Sequence, residues 1–170
     1  MIYHSRLMWV LLSLLLSVSC GHVAGHKPLP LLHAQPSAEV LAQQILLGIA
    51  NRDEQALRQL ALTKDEFCQA VWPELPSAQT PNMTCEWAWN AFLPSDVAGL
   101  RQILLEHGGK SYNLVRLRFA KGTTTYKSFK VHEDTRMIVV DDGGKEQELK
   151  LCGSILEYQG QYKLFSFIID

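Results

Sequence analysis

Four cysteines, six histidines and a handful of clustered carboxylates are the groups in this 170-residue chain that could do chemistry. The cysteines are Cys20, Cys68, Cys85 and Cys152, and none is spaced as CxxC or with a histidine pair at zinc-binding distance, so no metal site is expected. Cys68 and Cys85 flank the proline-rich stretch PELPSAQTPN and are expected to close it as a disulfide. A ring of this size stabilises by about 3 kcal/mol through the entropy it removes from the unfolded chain. Cys152 lies in an apolar strand pattern and reads as a small buried hydrophobe.

Acid–base groups are few. His132, Glu133 and Asp134 are consecutive at a predicted strand end, Arg116 and Tyr126 lie on strands, and His107 sits in the last turn of a helix, where a cation suits the dipole. Each has an ordinary structural role, and none is assigned a catalytic one. His22, His26 and His33 read as solvated linker residues rather than a metal-binding tail. There is no GxSxG, HExxH, P-loop or glycine-rich dinucleotide motif, and no cofactor is expected. The formal net charge is −1 with no basic block, which argues against a nucleic-acid partner.

Cys20 ends a leader. The residues MIYHSRLMWVLLSLLLSVSC begin with a short segment holding Arg6, continue with an apolar run from Leu7 to Val18 and finish in small residues, the layout of a signal peptide over residues 1–19. The run is too short to span a membrane, which takes roughly 20 apolar residues. Val18-Ser19-Cys20-Gly21 resembles a bacterial lipobox, in which the cysteine becomes the lipidated first residue, although Ser17 stands where leucine is usual. Cleavage by an ordinary signal peptidase, after Ser19 or at Val23-Ala24-Gly25, is the alternative. Either way the protein is expected to be exported to a bacterial periplasm or envelope, and to meet a membrane through the lipid anchor only. Losing residues 1–19, which hold one basic residue and no acid, takes the formal charge from −1 to −2. Asn82-Met83-Thr84 is a glycosylation sequon, expected to be unused in a bacterium.

Residues 20–36 contain prolines and no pattern, and read as a tether; residues 37–170 read as one domain. Ser37 can cap a helix carrying Val40, Leu41, Ile45, Gly48 and Ile49 at helical spacing. Asp53 caps a second through Leu57 and Leu60, and Thr63-Lys64-Asp65-Glu66 is a capping box that opens a third, ended by Pro73. Thr84 caps a helix that Pro94 is expected to break, with Ser95 and Asp96 restarting it until Gly108-Gly109. The period then changes to two. Strands are expected over 112–120, 124–132, 135–140, 148–158 and 161–169, with Val115, Leu117 and Phe119 inward and Arg116 and Arg118 on the solvent face or in a partner-binding patch. The class is α+β: N-terminal helices packed on a curved antiparallel sheet.

This order resembles the nuclear-transport-factor-two-like superfamily, the cone-shaped fold shared with ketosteroid isomerase. The residues that carry the resemblance are AEVLAQQILLGIANRDEQALRQL, like that family's opening helix pair, and GSILEYQGQYKLFSFI, like its last hairpin. A cystatin-like sheet wrapped on one helix is the rival arrangement. The resemblance implies a cone that can hold a small apolar ligand, with Trp72, Trp89, Tyr126 and Phe129 as candidate lining; plain core packing is the other role open to them. Trp87 and Trp89 are two apart on a helix, so at most one of them faces any one pocket. The expectation is a non-enzymatic envelope domain that binds a partner protein or a small apolar ligand. An isomerase- or dehydratase-like enzyme is the alternative, and a homodimer through the sheet face is the expected assembly.

Overall fold

Ser37 starts the first helix by accepting a hydrogen bond from the Val40 N–H at 3.2 Å, which satisfies one of the donors a helix leaves orphaned at its start. A computed structural model describes residues 30–167, and the leader, Cys20, His22 and His26 lie outside the described residues. Helix α1 (Ala38–Ala50) is followed by α2 (Glu54–Leu60), capped by Asp53. The capping box of Thr63 and Glu66 forms as the sequence requires and opens α3 (Lys64–Glu66), which runs on into a π-helical turn (Phe67–Val71). Two 3₁₀ turns, Trp72–Glu74 and Pro76–Gln79, lead to α4 (Cys85–His107). The sheet is antiparallel and open: β1 (Tyr112–Thr125), β2 (Phe129–Asp141), β3 (Glu146–Leu149), β4 (Ile155–Tyr158) and β5 (Gln161–Leu164), with order β1-β2-β4-β5 and β3 also on β2. The α+β class is therefore the observed one, and the cystatin-like arrangement of a single helix is not.

Several sequence expectations are corrected, among them the last strand, expected over 161–169, which ends at Leu164. Pro94 does not break α4, which is continuous over 23 residues. Proline removes one N–H and crowds the preceding turn, but here it is exposed. The helix on either side of it is held by packing, Trp89 in one core cluster and Leu100 and Ile103 in the other. The strands expected over 112–120, 124–132 and 135–140 are one long hairpin, β1 and β2, whose turn lies at Tyr126–Ser128. The strand expected over 148–158 is two, β3 and β4, and Cys152 lies in the connection between them, where it is fully buried.

Each face of the sheet is covered over part of its extent. One cluster joins α1, α2 and the C-terminal half of α4 to Met137, Val139, Ile155 and Leu164. A second joins the π-helical turn and the N-terminal half of α4 to Phe129, Val131, Leu156 and Tyr158. Along β2 the odd positions Phe129 and Val131 face the second cluster, whereas the odd positions Met137 and Val139 face the first. A strand alternates with period two, so the chain must slip by one residue between them. The slip is at Asp134, which has φ of 54° and lies where the β1–β2 register shifts between Phe119 and Gly122. A second shift, between Leu114 and Arg116, turns Val115 outward, 49% exposed, against the inward expectation.

The packed body also reaches back before Ser37. Leu31 is buried in the second cluster, and Gln35 exchanges two 2.8 Å backbone hydrogen bonds with Tyr162 along the edge of β5. Helices α1 and α2 meet so closely that a Cβ on Gly48 would lie 2.8 Å from Cγ and Cδ2 of the fully buried Leu57. Gly48→Ala gains helix propensity of about 1 kcal/mol and costs about 1–3 kcal/mol in overpacking. A net loss of about 1 kcal/mol in chemical denaturation is expected, and Gly48→Ala together with Leu57→Val should lose less than the two single changes summed.

Candidate functional site

The slip at Asp134 builds a cleft. β3 pairs with β2 only as far as Met137, and β4 pairs with it only from His132 outward, so residues 133–136 of β2 lose their outer neighbour strand. The chain between β3 and β4 crosses this gap, held by Thr135 N–H to the Gly153 carbonyl and Gly153 N–H to the Ser166 carbonyl. What remains open is a cleft of about 310 Å³ at the bend of the sheet. Its charged wall is Lys121, Glu133, Asp134 and Lys150; its rim is Phe92 and Phe165, whose rings meet edge to face at 6.5 Å; Gly153, Ser154 and Ser166 complete it.

Asp134 anchors the wall. Its Oδ1 lies 3.0 Å from the Arg136 guanidinium and 3.2 Å from the Lys150 ammonium. The Arg136 hydrogen bond, against a smaller opposing effect of burial and with Lys150 beside it, holds the carboxyl below its usual range. It is thus ionised, and is not a poised general base at neutral pH. A non-glycine residue at positive φ occurs several-fold more often as Asp or Asn than as other types, and such strain clusters at functional sites. Asp134→Asn keeps the backbone preference and removes the charge. Because the folded pKa lies below the unfolded one, the stabilisation is present above the unfolded value near 4 and lost as pH falls through the folded one. The variant is therefore expected to melt below the parent at pH 7 and to converge with it in acid; thermal melts from pH 7 down to pH 3 test this, and a gap independent of pH would contradict it.

A second polar group lies on β2 and β4. His132 Nδ1 is 2.8 Å from the Thr123 hydroxyl, and Nε2 is 3.0 Å from the Glu157 carboxylate. The ring is stacked against Phe119 with centroids 4.6 Å apart. Glu157 also accepts from Lys130 at 2.9 Å, and this bond, more than the contrary effect of burial, lowers its pKa. Both imidazole nitrogens are engaged within the protein.

The four aromatic residues singled out in the sequence are brought together. Phe129 is buried in the second cluster, and Trp72, Trp89 and Tyr126 pack against it. Tyr126 stacks on Phe129 at 4.5 Å, while Trp72 and Trp89 lie 6.0 and 5.6 Å from Phe67. The bend cleft takes Phe92 and Phe165 from this layer and none of those four. Trp87 points away from Trp89 and is 58% exposed. Cys68 and Cys85 form the expected disulfide, with Cα atoms 5.6 Å apart, at the edge of the same layer. Cys152 is free, and burial pushes its thiol up to about 12, so it is inert at neutral pH. His107 is the last residue of α4 and lies beside Tyr112, 3.0 Å from its hydroxyl; burial lowers its pKa. Arg118 is spoken for by a two-oxygen contact with Glu148, at 2.8 and 2.9 Å. Among the described residues no group of three or more His, Cys, Asp or Glu side chains could hold a metal ion, and no helix is long and apolar enough to cross a membrane.

Lys121 had no distinctive signal in the sequence, and Asp134 was noted there only as one of the acid–base groups at a strand end. A lysine next to glycine in AKGTT reads as a turn, and the positive φ of Asp134 follows from the pairing of two distant strands. No family model, no curated protein and no solved structure matches this chain.

Proposed function

We propose that this is an exported, non-catalytic binding domain of a bacterial envelope, anchored by lipid on Cys20 or released by cleavage, and that its working surface is the bend cleft. The disulfide supports the export half of the reading, because bridges of this kind persist in oxidising compartments. The cleft carries the binding half: charged groups line a recess at an irregularity of the sheet, next to two aromatic rings. Its ligand is a small molecule with an apolar part, or a partner protein that inserts one. Membership of the nuclear-transport-factor-two-like superfamily belongs to the same proposal, as does a homodimer through the outer face of β1, where Val115 is exposed.

The test is a non-denaturing mass measurement, with chemical cross-linking, on protein purified from its native host without reductant. Bound mass or a cross-linked partner that is lost in Ser154→Phe, which fills the cleft, supports the reading. Bare protein with no cross-linked partner, or binding indifferent to Ser154→Phe, overturns it. Sedimentation of the same sample tests the dimer, which a monomer at high concentration would exclude. The second reading, an isomerase- or dehydratase-like enzyme, is favoured by the Thr123–His132–Glu157 chain of hydrogen bonds. It ranks behind because both ring nitrogens are already committed.

A further inference from the structure

The charges of the bend cleft divide into two kinds. Asp134 and Lys150 are tied to each other, and Arg136 adds a second cation to Asp134. Lys121 and Glu133 are different. Among the described residues no carboxylate lies within ion-pair distance of the Lys121 ammonium, and no cation lies within that distance of Glu133. Glu133 has a hydroxyl as its partner, the Thr124 Oγ1 at 2.5 Å, which donates one hydrogen bond without neutralising the charge. Both side chains line the cleft, whose rim is the edge-to-face pair of Phe92 and Phe165.

We infer that the bend cleft binds a small zwitterion with an apolar side chain, a free amino acid such as leucine or phenylalanine, its carboxylate on Lys121, its ammonium on Glu133 and its side chain against Phe92 and Phe165. The inference rests on the reading of this cleft as the binding surface and adds the ligand class. Charge-assisted hydrogen bonds to groups of opposite sign are the strong ones, and here one group of each sign lacks an oppositely charged partner in the same recess. A ligand with a carboxylate alone would leave the Glu133 charge without a counter-ion, and an amine alone would leave the Lys121 charge without one. The cleft volume of about 310 Å³ lies at the small end of the range for ligand sites, which suits one amino acid better than a longer peptide. In the pre-formed Asp134–Lys150 pair each charge already faces one of opposite sign, and the pair supports the wall.

The experiment is a titration of the full mature protein, disulfide intact, with L-phenylalanine, L-leucine, phenylacetate and 2-phenylethylamine, followed through backbone amide resonances. Shifts at Lys121, Glu133 and Ser154 are expected with both amino acids. Phenylacetate and 2-phenylethylamine, each lacking one charge, should bind roughly tenfold more weakly or worse. Lys121→Gln should erase the preference for phenylalanine over 2-phenylethylamine, and Glu133→Gln the preference over phenylacetate. A merely destabilised cleft would lose all four probes together, so this crossed pattern identifies the two roles. Equal binding of phenylacetate and phenylalanine within the cleft overturns the zwitterion and leaves the cleft as the binding surface. Shifts elsewhere on the molecule overturn both. Absence of shifts with every probe up to about 10 mM, a limit weaker than any useful affinity, overturns the inference alone, the cleft then being judged by its bound mass.

Discussion

Glu66→Ala is expected to destabilise the protein by about 3–5 kcal/mol, the range for breaking a buried ion pair by removing one partner. Glu66 and Lys163 are both almost fully buried, with side chains 3% and 1% exposed, and their charged atoms are 2.6 Å apart. Glu66 does more than neutralise the lysine. It accepts from the Thr63 N–H at 2.8 Å, which closes the capping box, and from the Leu32 N–H at 2.7 Å, which ties down the segment before α1. One carboxylate thus joins the incoming chain, α3 and β5. Burial pushes its pKa up, but the Lys163 ammonium and the two backbone donors together outweigh burial and hold it below the usual range. Lys163 has a single partner for the same burial, and burial wins, so its pKa is lowered. The folded state therefore keeps the stabilisation from Glu66 above the unfolded carboxylate value near 4.3 and loses it as pH falls. Lys163→Met should also cost several kcal/mol, because it strands the carboxylate. The double variant Glu66→Ala/Lys163→Met should cost far less than the two singles summed, since it leaves no buried charge. It should still not recover the parent, because the Thr63 and Leu32 N–H groups lose their acceptor. Denaturant unfolding of the four proteins is the measurement, and additive losses would contradict the account.

The half of this pair that lies in a capping box was legible in the sequence; its second use was not. Thr63 to Glu66 shows the helix start at a glance, but nothing local announces that the same carboxylate reaches a lysine 97 residues away. A clue did exist at the other end. In Gln161–Leu164 the period of two puts Lys163 on the same face as Leu156 of the neighbouring strand, which is fully buried. The helices were readable because each carries its own cap and its own apolar spacing. The hairpin was misdivided for a physical reason. The apparent breaks at 121–123 and 133–134 are the two sides of one irregularity, facing each other across the ladder at Gly122 and Glu133. Glycine at φ of 87° on one strand and Asp134 at 54° on the other mark a bulge here, not turns. The real turn, Tyr126–Ser128, has no glycine or proline. It is held by the Tyr126 N–H to the Phe129 carbonyl and, from outside the hairpin, by Glu74, which accepts from the Ser128 N–H and hydroxyl. The candidate cleft follows from that bulge, so a reading that split the hairpin had no means of assembling it.

Reduction of Cys68–Cys85 is the second large effect expected. The bridge spans 17 residues of sequence, and opening a loop of that length releases about 3 kcal/mol of constraint on the unfolded chain. For a protein of this size each kcal/mol moves the melting temperature by roughly 2–4 °C, so a drop of roughly 6–12 °C is expected. The loss should have a local part as well. The bridge joins the π-helical turn to the first residue of α4, and the two 3₁₀ turns between them have no side-chain caps. Their ties are the backbone bonds of the turns themselves, the packing of Trp72 and Leu75 against the second cluster, and Glu74 reaching the tip of the β1–β2 hairpin. Without the bridge the second cluster keeps Phe67, Val71 and Trp89, but the loop that holds Glu74 in place is no longer closed. The prediction therefore has two parts: a lower melting temperature in calorimetry, and faster amide exchange at Ser128, whose N–H is held by Glu74. Cys152 does not confuse the experiment, because its buried thiol is unreactive in the folded protein and peptide mapping separates it from the other two. Cys68→Ala/Cys85→Ala should reproduce both effects and be indifferent to reductant. If reductant lowers the melting temperature of that variant as well, the bridge is not the source; if the parent is unaffected by reductant, the fold stands without it. The size of the loss also bears on where the protein works, since a domain that depends on this bridge for several kcal/mol is suited to an oxidising compartment.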